Sequence, residues 1–336
     1  MRLLVFNPEN DLALAHGTAY FTPPASAVQM ARDLQGLPHL WQRGEGDWIL
    51  HLYEAGQTLP AEITEVLPWG WSPLLVAQLR RRGVSAEVLP TDEEMADYRT
   101  RSSRRVAVEN LERAKAVLQA HGVAVVGDAA WCESEEEVVA AHRGFGETLL
   151  KAPWSGSGRG LHPLHGGEVN ERDRQWIRRT LARQGGVTVE RFCRGKLLDF
   201  ALEFWADRGE VSYLGLSVFH TTPGGVYAGN VVADEDYKMG LLRAYISCED
   251  ITKIRDTVTA LLQTNGPAPW YVGPVGVDMM VCRLDHGGEA VHPFVEMNQR
   301  CTMGWVALQI HTEEPMLFQI GLKEGRYGYF LSKMEV

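Results

Sequence analysis

The chain has 336 residues, 45% hydrophobic and 23% charged, which suits a soluble globular protein of two or three folding units around a shared cleft. Its 33 basic and 43 acidic residues give a net charge of −10, which repels extended polyanions, so nucleic acid and acidic membrane surfaces are not expected as partners. The charge is uneven: residues 1–98 hold 6 basic against 13 acidic groups (net −7), residues 99–190 hold 14 against 12 (net +2), and residues 191–336 hold 13 against 18 (net −5), so only the middle segment suits an anion.

The five cysteines, Cys132, Cys193, Cys248, Cys282 and Cys301, are odd in number, widely spread and without C-x-x-C spacing. They are read as reduced thiols of a cytoplasmic protein, not as a disulfide framework or zinc site. The apolar start at residues 1–6 is cut off by Asn7, Pro8, Glu9, Asn10 and Asp11, too short for a signal h-region. No apolar run approaches the roughly 20 residues that span a bilayer.

In chain order, residues 2–6 read as a buried strand, and residues 25–34 and 73–82 as helices separated by Gly and Pro, which together make a small α/β unit. The first strand is followed by Asn-Pro-Glu-Asn-Asp and not by G-x-G-x-x-G, against a dinucleotide fingerprint. That polar turn is either a ligand site at a strand's carboxyl end or an ordinary turn with a helix cap. Residues 91–105 read as a linker, leading to a helix at 106–121 stopped by Gly122. A helix at 134–142 opens with Ser134 and Glu137 in capping-box spacing, and a strand at 148–152 runs into a glycine-rich loop, Pro153 to Gly160. A basic helix at 170–184, a strand at 187–192, a strand pair at 197–205 and 211–219, and an amphipathic helix at 249–262 follow. Two last strands, 275–283 and 290–300, flank Asp285-His286-Gly287-Gly288, a hairpin signal.

Three features carry chemistry. Alternating glycines let the loop backbone approach a polyanion, with Lys151 before it and Arg159 within it supplying charge, although a plain surface turn would look similar. No Lys-Ser or Lys-Thr closes the loop, so it is not a Walker A motif. In the last hairpin, Glu296, Asn298 and Arg300 share one face, and a turn centred near Gly287 pairs residues whose numbers sum to about 574, setting Asp278 opposite Glu296. Two carboxylates and an amide at one spot repel unless a divalent cation joins them, and an incomplete all-oxygen shell favours magnesium completed by water and phosphate oxygens. Third, Glu190 ends the strand at 187–192. His162 and His165 have H-x-x-H spacing but no third ligand nearby, and are read as an exposed loop.

Together these features resemble the ATP-grasp superfamily: a lysine and glycine loop (Lys151-Ala-Pro-Trp-Ser-Gly-Ser-Gly-Arg-Gly160), a hinge strand ending in an acid (Val189-Glu190-Arg191-Phe192-Cys193), a strand aspartate (Gly276-Val277-Asp278) and a Glu-x-Asn pair (Phe294-Val295-Glu296-Met297-Asn298-Gln299-Arg300). The likeness spans about residues 104–310. It implies an α/β (α+β) ATP-grasp fold with an N-terminal Rossmann-like domain at 1–98, a lid subdomain with the glycine loop at 99–193, and a C-terminal subdomain with the metal site at 194–336. It further implies that Lys151 binds the α- and β-phosphates and that Ser155, Gly156, Ser157, Gly158, Arg159 and Gly160 close over the triphosphate. Glu190, with the backbone of Arg191 and Cys193, would hold adenine, and Asp199 the ribose. Asp278, Glu296 and Asn298 would hold Mg2+ (or Mn2+), and Arg300 would sit against an acyl phosphate. A second phosphate lysine of many members is missing; Leu111 aligns near it, and Arg104 or Arg105 is the substitute.

The reaction so implied is ATP-dependent: a small-molecule or peptide carboxylate attacks the γ-phosphate, and an amine or similar nucleophile then takes the acyl group with release of ADP and phosphate. The alternatives on the same fold are a small-molecule kinase and a non-catalytic nucleotide-binding protein. The polar turn at residues 7–11 and the segment at 220–230 are candidates for the substrate side of the cleft, and a homodimer is compatible with the sequence.

Overall fold

The computed structural model describes residues 1–156, 158, 160–222 and 224–334. Its elements form three sheets, each with its own helical cover. In the first unit β1 (Arg2–Val5), β2 (Asp47–Leu50) and β3 (Glu65–Pro68) make a parallel sheet in the order β2-β1-β3. Around it lie α1 (Asn10–His16), α2 (Ala25–Asp33), α3 (Pro73–Arg81) and α4 (Asp92–Arg101). Both faces of a covered parallel strand must be apolar, which is why Leu3, Leu4 and Val5 run together. Leu3 and Val5 pack with Leu75, Leu79 and Tyr98, while Leu4 and Phe6 pack with Leu34, Leu37 and Trp41.

The expected linker at 91–105 is instead mostly the helix α4. Thr91 and Glu94 form a reciprocal capping box, and Met95 and Tyr98, three apart, are its buried anchors. Next comes α5 (Arg104–Ala120), which packs on the third unit, followed by β4 (Ala129–Cys132), α6 (Glu135–Phe145), β5 (Thr148–Lys151), β6 (Leu161–Leu164), α7 (Glu171–Gln184) and β7 (Val187–Arg191). The four strands make an antiparallel sheet ordered β4-β7-β5-β6. Its core joins Leu150, Val187 and Val189 to Val138 and Ile177 of α6 and α7.

The third unit is a seven-stranded antiparallel sheet, β12-β11-β8-β9-β10-β13-β14. Its strands are β8 (Lys196–Asp207), β9 (Glu210–Thr221), β10 (Tyr227–Val232), β11 (Val272–Arg283), β12 (Glu289–Asn298), β13 (Met316–Lys323) and β14 (Arg326–Lys333). The helices of this unit are α8 (Glu235–Arg243), α9 (Cys248–Asn265) and α10 (Met303–Ala307). Val275, Val277 and Phe204 of the sheet share a core with Leu111, Leu118, Ile254 and Val258 of α5 and α9. No described helix is long and apolar enough to cross a membrane.

One expectation about cysteine fails. Cys193 and Cys282 lie sulfur to sulfur as a disulfide pair, leaving Cys132, Cys248 and Cys301 free. The chain after β7 turns back along the end of β11, where the Arg283 N–H donates to the Gly195 carbonyl at 2.7 Å, and this brings together cysteines 89 residues apart.

Candidate nucleotide and metal site

The β11–β12 hairpin sets the acidic pair. Asp278 lies opposite Glu296 and Gly276 opposite Asn298, the register of 574, before a bulge shifts the pairing so that Met280 faces His292. Asn298 Nδ2 donates to Asp278 Oδ2 at 3.1 Å, which leaves its amide oxygen for another partner. Burial, then the neighbouring Glu296 carboxylate, push the Asp278 carboxyl above its ordinary value. Among the described residues no three His, Cys, Asp or Glu side chains converge, so the donor set is two carboxylates and an amide. Such hard oxygen donors, crowded and partly repelling, fit a divalent cation that keeps other ligands.

Arg104 supplies the positive charge now facing this pair. At the start of α5 it is buried, and its guanidinium donates to Glu296 Oε1 at 2.9 Å, to the carbonyls of Ala152 and Ser155 at 2.7 and 2.8 Å, and to Ser155 Oγ at 2.5 Å. Its neighbour Arg105 points the other way, to Glu109 and Glu133 on the surface. Of the two arginines proposed as a second cation, only Arg104 reaches the cleft. Leu111 is core.

The glycine loop is closed at its base by the Ala152 N–H donating to the Gly160 carbonyl at 2.9 Å. Gly160 has φ +68°, and a Cβ there would come within 2.7 Å of Ser155, so the return of the loop over its own root requires glycine. Gly156 passes so close to the Asp11 carboxylate that any side chain would overlap it. A Cβ on Gly158 would lie 3.2 to 3.4 Å from Val226 and Gly225, so the β9–β10 connection at 220–230 does border the loop. Ser157 and Arg159 lie outside the described residues. Trp154 anchors the loop root: its indole N–H donates to the Arg99 carbonyl at 2.8 Å, and the Arg99 guanidinium stacks over the ring at 3.8 Å.

Lys151 and Glu190 are both buried and joined at 2.6 Å. Lys151 pairs with Thr188 across the β5–β7 ladder, so Glu190, two residues on, is its diagonal neighbour on the same face. The structure thus gives the lysine and the hinge acid to each other. The Arg191 N–H donates to the Asp128 carbonyl, and its side chain pairs with Asp128; Cys193 is in the disulfide; Asp199 Oδ2 holds Lys196 at 2.6 Å and Thr221 at 2.7 Å. His162 pairs with Asp173 and stacks on Trp176, while His165 pairs with Glu147, so the two histidines do not converge.

Arg300 lies just past β12 and binds Asp11, at the start of α1, through two contacts of 3.0 and 3.1 Å. Burial alone would lower its affinity for the proton; Asp11 and then Glu296 outweigh that and hold it charged. The polar turn at 7–11 therefore brings Asn10 and Asp11 to the cleft, while Asn7 bridges to Gly70 and Glu9 accepts from Tyr53 within the fold. Gln299 and Glu203 are further cleft or sub-cleft residues outside the sequence-derived set. Their signals, a Gln between Asn298 and Arg300 and a lone Glu inside the apolar strand Phe200-Ala-Leu-Glu203-Phe-Trp, are visible in the sequence without saying which face is covered.

No family model matches the chain, and neither does any curated protein. Solved structures do. The biotin carboxylase domain of 2-oxoglutarate carboxylase from Hydrogenobacter thermophilus, determined with MgADP, ADP and bicarbonate, superposes with TM-score 0.52 at 13% identity over 95% of this chain and 74% of that one. An ATP-grasp superfamily protein from Archaeoglobus fulgidus superposes with TM-score 0.50 at 13% identity over the whole of both chains.

Proposed function

Because the chain has the ATP-grasp fold, we propose that it is an ADP-forming ligase that activates a carboxylate with ATP and passes the acyl group to an amine or similar nucleophile. The observation that carries this reading is the cross-strand pair Asp278 and Glu296 with Asn298 beside it, facing Arg104 and Arg300 under a glycine loop. A scaffold has no use for two carboxylates pressed together at the mouth of a cationic cleft.

In this reading Asp278, Glu296 and Asn298 would hold magnesium or manganese, whose charge would offset the repulsion between phosphate and carboxylate. Lys151 exchanges Glu190 for a phosphate oxygen, and Glu190, once released, accepts from the base. Arg104, already bonded to the loop root, ties closure of the loop to the charge at Glu296. Arg300 faces the acyl carbon and stabilises the oxyanion formed when the amine attacks. The loop excludes water from the acyl phosphate.

Replacing Glu296 with Gln keeps size and removes the charge. Metal-dependent ADP release over a panel of acids crossed with amines should fall at least about 100-fold, with the circular dichroism spectrum and melting temperature retained. Unchanged turnover in Glu296→Gln would remove the metal assignment, and a stable phosphorylated product formed without any amine would mark a kinase instead.

A further inference from the structure

Arg300 and Asp11 are 289 residues apart in sequence and meet across the boundary between the first and third units. Nε of Arg300 faces Oδ1 at 3.0 Å and Nη2 faces Oδ2 at 3.1 Å, a parallel fork, while Nη1 donates to the Cys301 carbonyl at 3.1 Å. Gln299, next to Arg300 in the chain, is 2% exposed, and neither its amide nitrogen nor its amide oxygen has a partner among the described residues. Asn10, Asp11, Ser155, Glu296, Gln299 and Arg300 line one cleft, roofed by the loop backbone at Gly156. Each Arg300 nitrogen is already engaged, so a ligand carboxylate reaches this guanidinium as a fork only by parting the ion pair.

That requirement selects the chemistry of the ligand. A simple carboxylate satisfies Arg300 but strands the Asp11 charge in a cleft that already holds Glu296. A simple amine satisfies Asp11 and strands Arg300. Either leaves one partially buried charge unpaired, the most unfavourable way to break such a pair. A ligand bearing both charges replaces each partner and leaves the net charge of the cleft unchanged. Because the two groups now touch directly, the ligand's charges must also be close together, as when both sit on one carbon.

We infer that the carboxylate substrate is a zwitterionic α-amino acid, its carboxylate on Arg300 and its ammonium on Asp11. The inference rests on the ligase reading above and names the substrate of that site. One carboxylate oxygen forms the bond to the γ-phosphorus of ATP, the bond from that phosphorus to the bridging oxygen breaks, and ADP leaves with the electron pair. The amino group stays protonated on Asp11 and cannot serve as the nucleophile, so the attacking amine comes from a second molecule.

The test uses the full chain with MgATP and hydroxylamine, which converts an acyl phosphate to a hydroxamate with loss of phosphate. The acids are an equimolar mixture of the standard amino acids, both alanine enantiomers and the matched propionate, with ethylamine as the control that carries the ammonium alone; amino-acid binding without ATP is followed by the shift in melting temperature. Amino acids should give both ADP and hydroxamate, with propionate and ethylamine inert. Asp11→Asn should raise KM for the responding amino acid about 100-fold, leave KM for ATP in place and abolish the amino-acid melting shift, and Asp11→Glu should recover part of it. Hydroxamate from propionate at a rate matching alanine overturns the zwitterion assignment and leaves the ligase. Binding that depends on Asp11 with no hydroxamate from any acid keeps the subsite and removes the ligase reading. Amino acids that neither bind nor release ADP overturn the inference outright.

Discussion

Glu203 is a carboxyl group with 1% of its surface exposed, 2.9 Å from the Thr302 hydroxyl through both of its oxygens and packed so tightly that a side chain on Gly304 would overlap it. Burial first, and the charge of Asp278 second, push it up to about 8 from an ordinary 4.5. The folded protein thus keeps this proton up to about pH 8, whereas the unfolded chain gives it up near 4.5. Between those values the native state binds more protons, so this group lowers stability as pH rises, by at most about 1.4 kcal/mol per pH unit, and no further above pH 8. Glu203→Gln removes the titration and keeps the shape. Urea midpoints at pH 5 and pH 8 should therefore differ less in the variant than in the parent, and equal differences would show that Glu203 does not titrate in this window. The sequence shows a lone acid in an apolar strand, but only the short helix α10 folding over that face makes it buried, and no local pattern reports such a long-range cover.

At the scale of elements, the β11–β12 hairpin was legible from its Asp-His-Gly-Gly turn and its alternation, but its register was not wholly so: beside the turn Arg283 faces Glu289, a sum of 572, and the bulge between Asp278 and Met280 supplies the shift to 574 that sets Asp278 against Glu296. The helices with side-chain caps, such as α6 behind Ser134 and Glu137, were legible for the same local reason. The helix α4 was not, since its acidic first turn and two apolar anchors resemble a solvated linker until Tyr98 is seen to donate to the Gln299 carbonyl and accept from the Trp71 N–H. The four-residue strands β2 and β3 are too short to show a period. The start of α5 sharpens one choice that sequence left open between two adjacent arginines. Arg104→Ala strands Glu296, Ser155 and two carbonyls, and should lose about 3 kcal/mol of stability together with most ADP release. Arg105→Ala removes only exposed pairs and should stay within about 1 kcal/mol of the parent in chemical unfolding, with activity retained. Equal effects of the two variants would contradict the assignment of Arg104 to the cleft.

At the scale of the molecule, the first and third units share a core and do not merely touch. Leu4, Phe6, Trp41 and Trp69 of the first unit pack with Val232, Cys301, Trp305 and Phe318 of the third, with Trp41 and Trp305 rings 5.3 Å apart, and the Cys301 N–H donates to the Trp69 carbonyl at 2.8 Å. The same contact surface carries Asp11 to Arg300 and Tyr98 to Gln299, so the geometry of the cleft depends on that packing. Trp305→Ala removes the ring at the centre of this junction and should lower stability by about 3 to 5 kcal/mol. Because the cores are continuous, the loss should appear as one earlier transition, seen at the same urea concentration by circular dichroism and by tryptophan fluorescence. Residues 1–98 expressed alone would leave Leu4, Phe6, Trp41 and Trp69 without their cover and should show no cooperative unfolding. A fragment that unfolds in a sharp transition of its own, or a Trp305→Ala protein in which the two probes separate, would mean that the first unit is an independent domain, and that the Asp11–Arg300 contact joins bodies free to part.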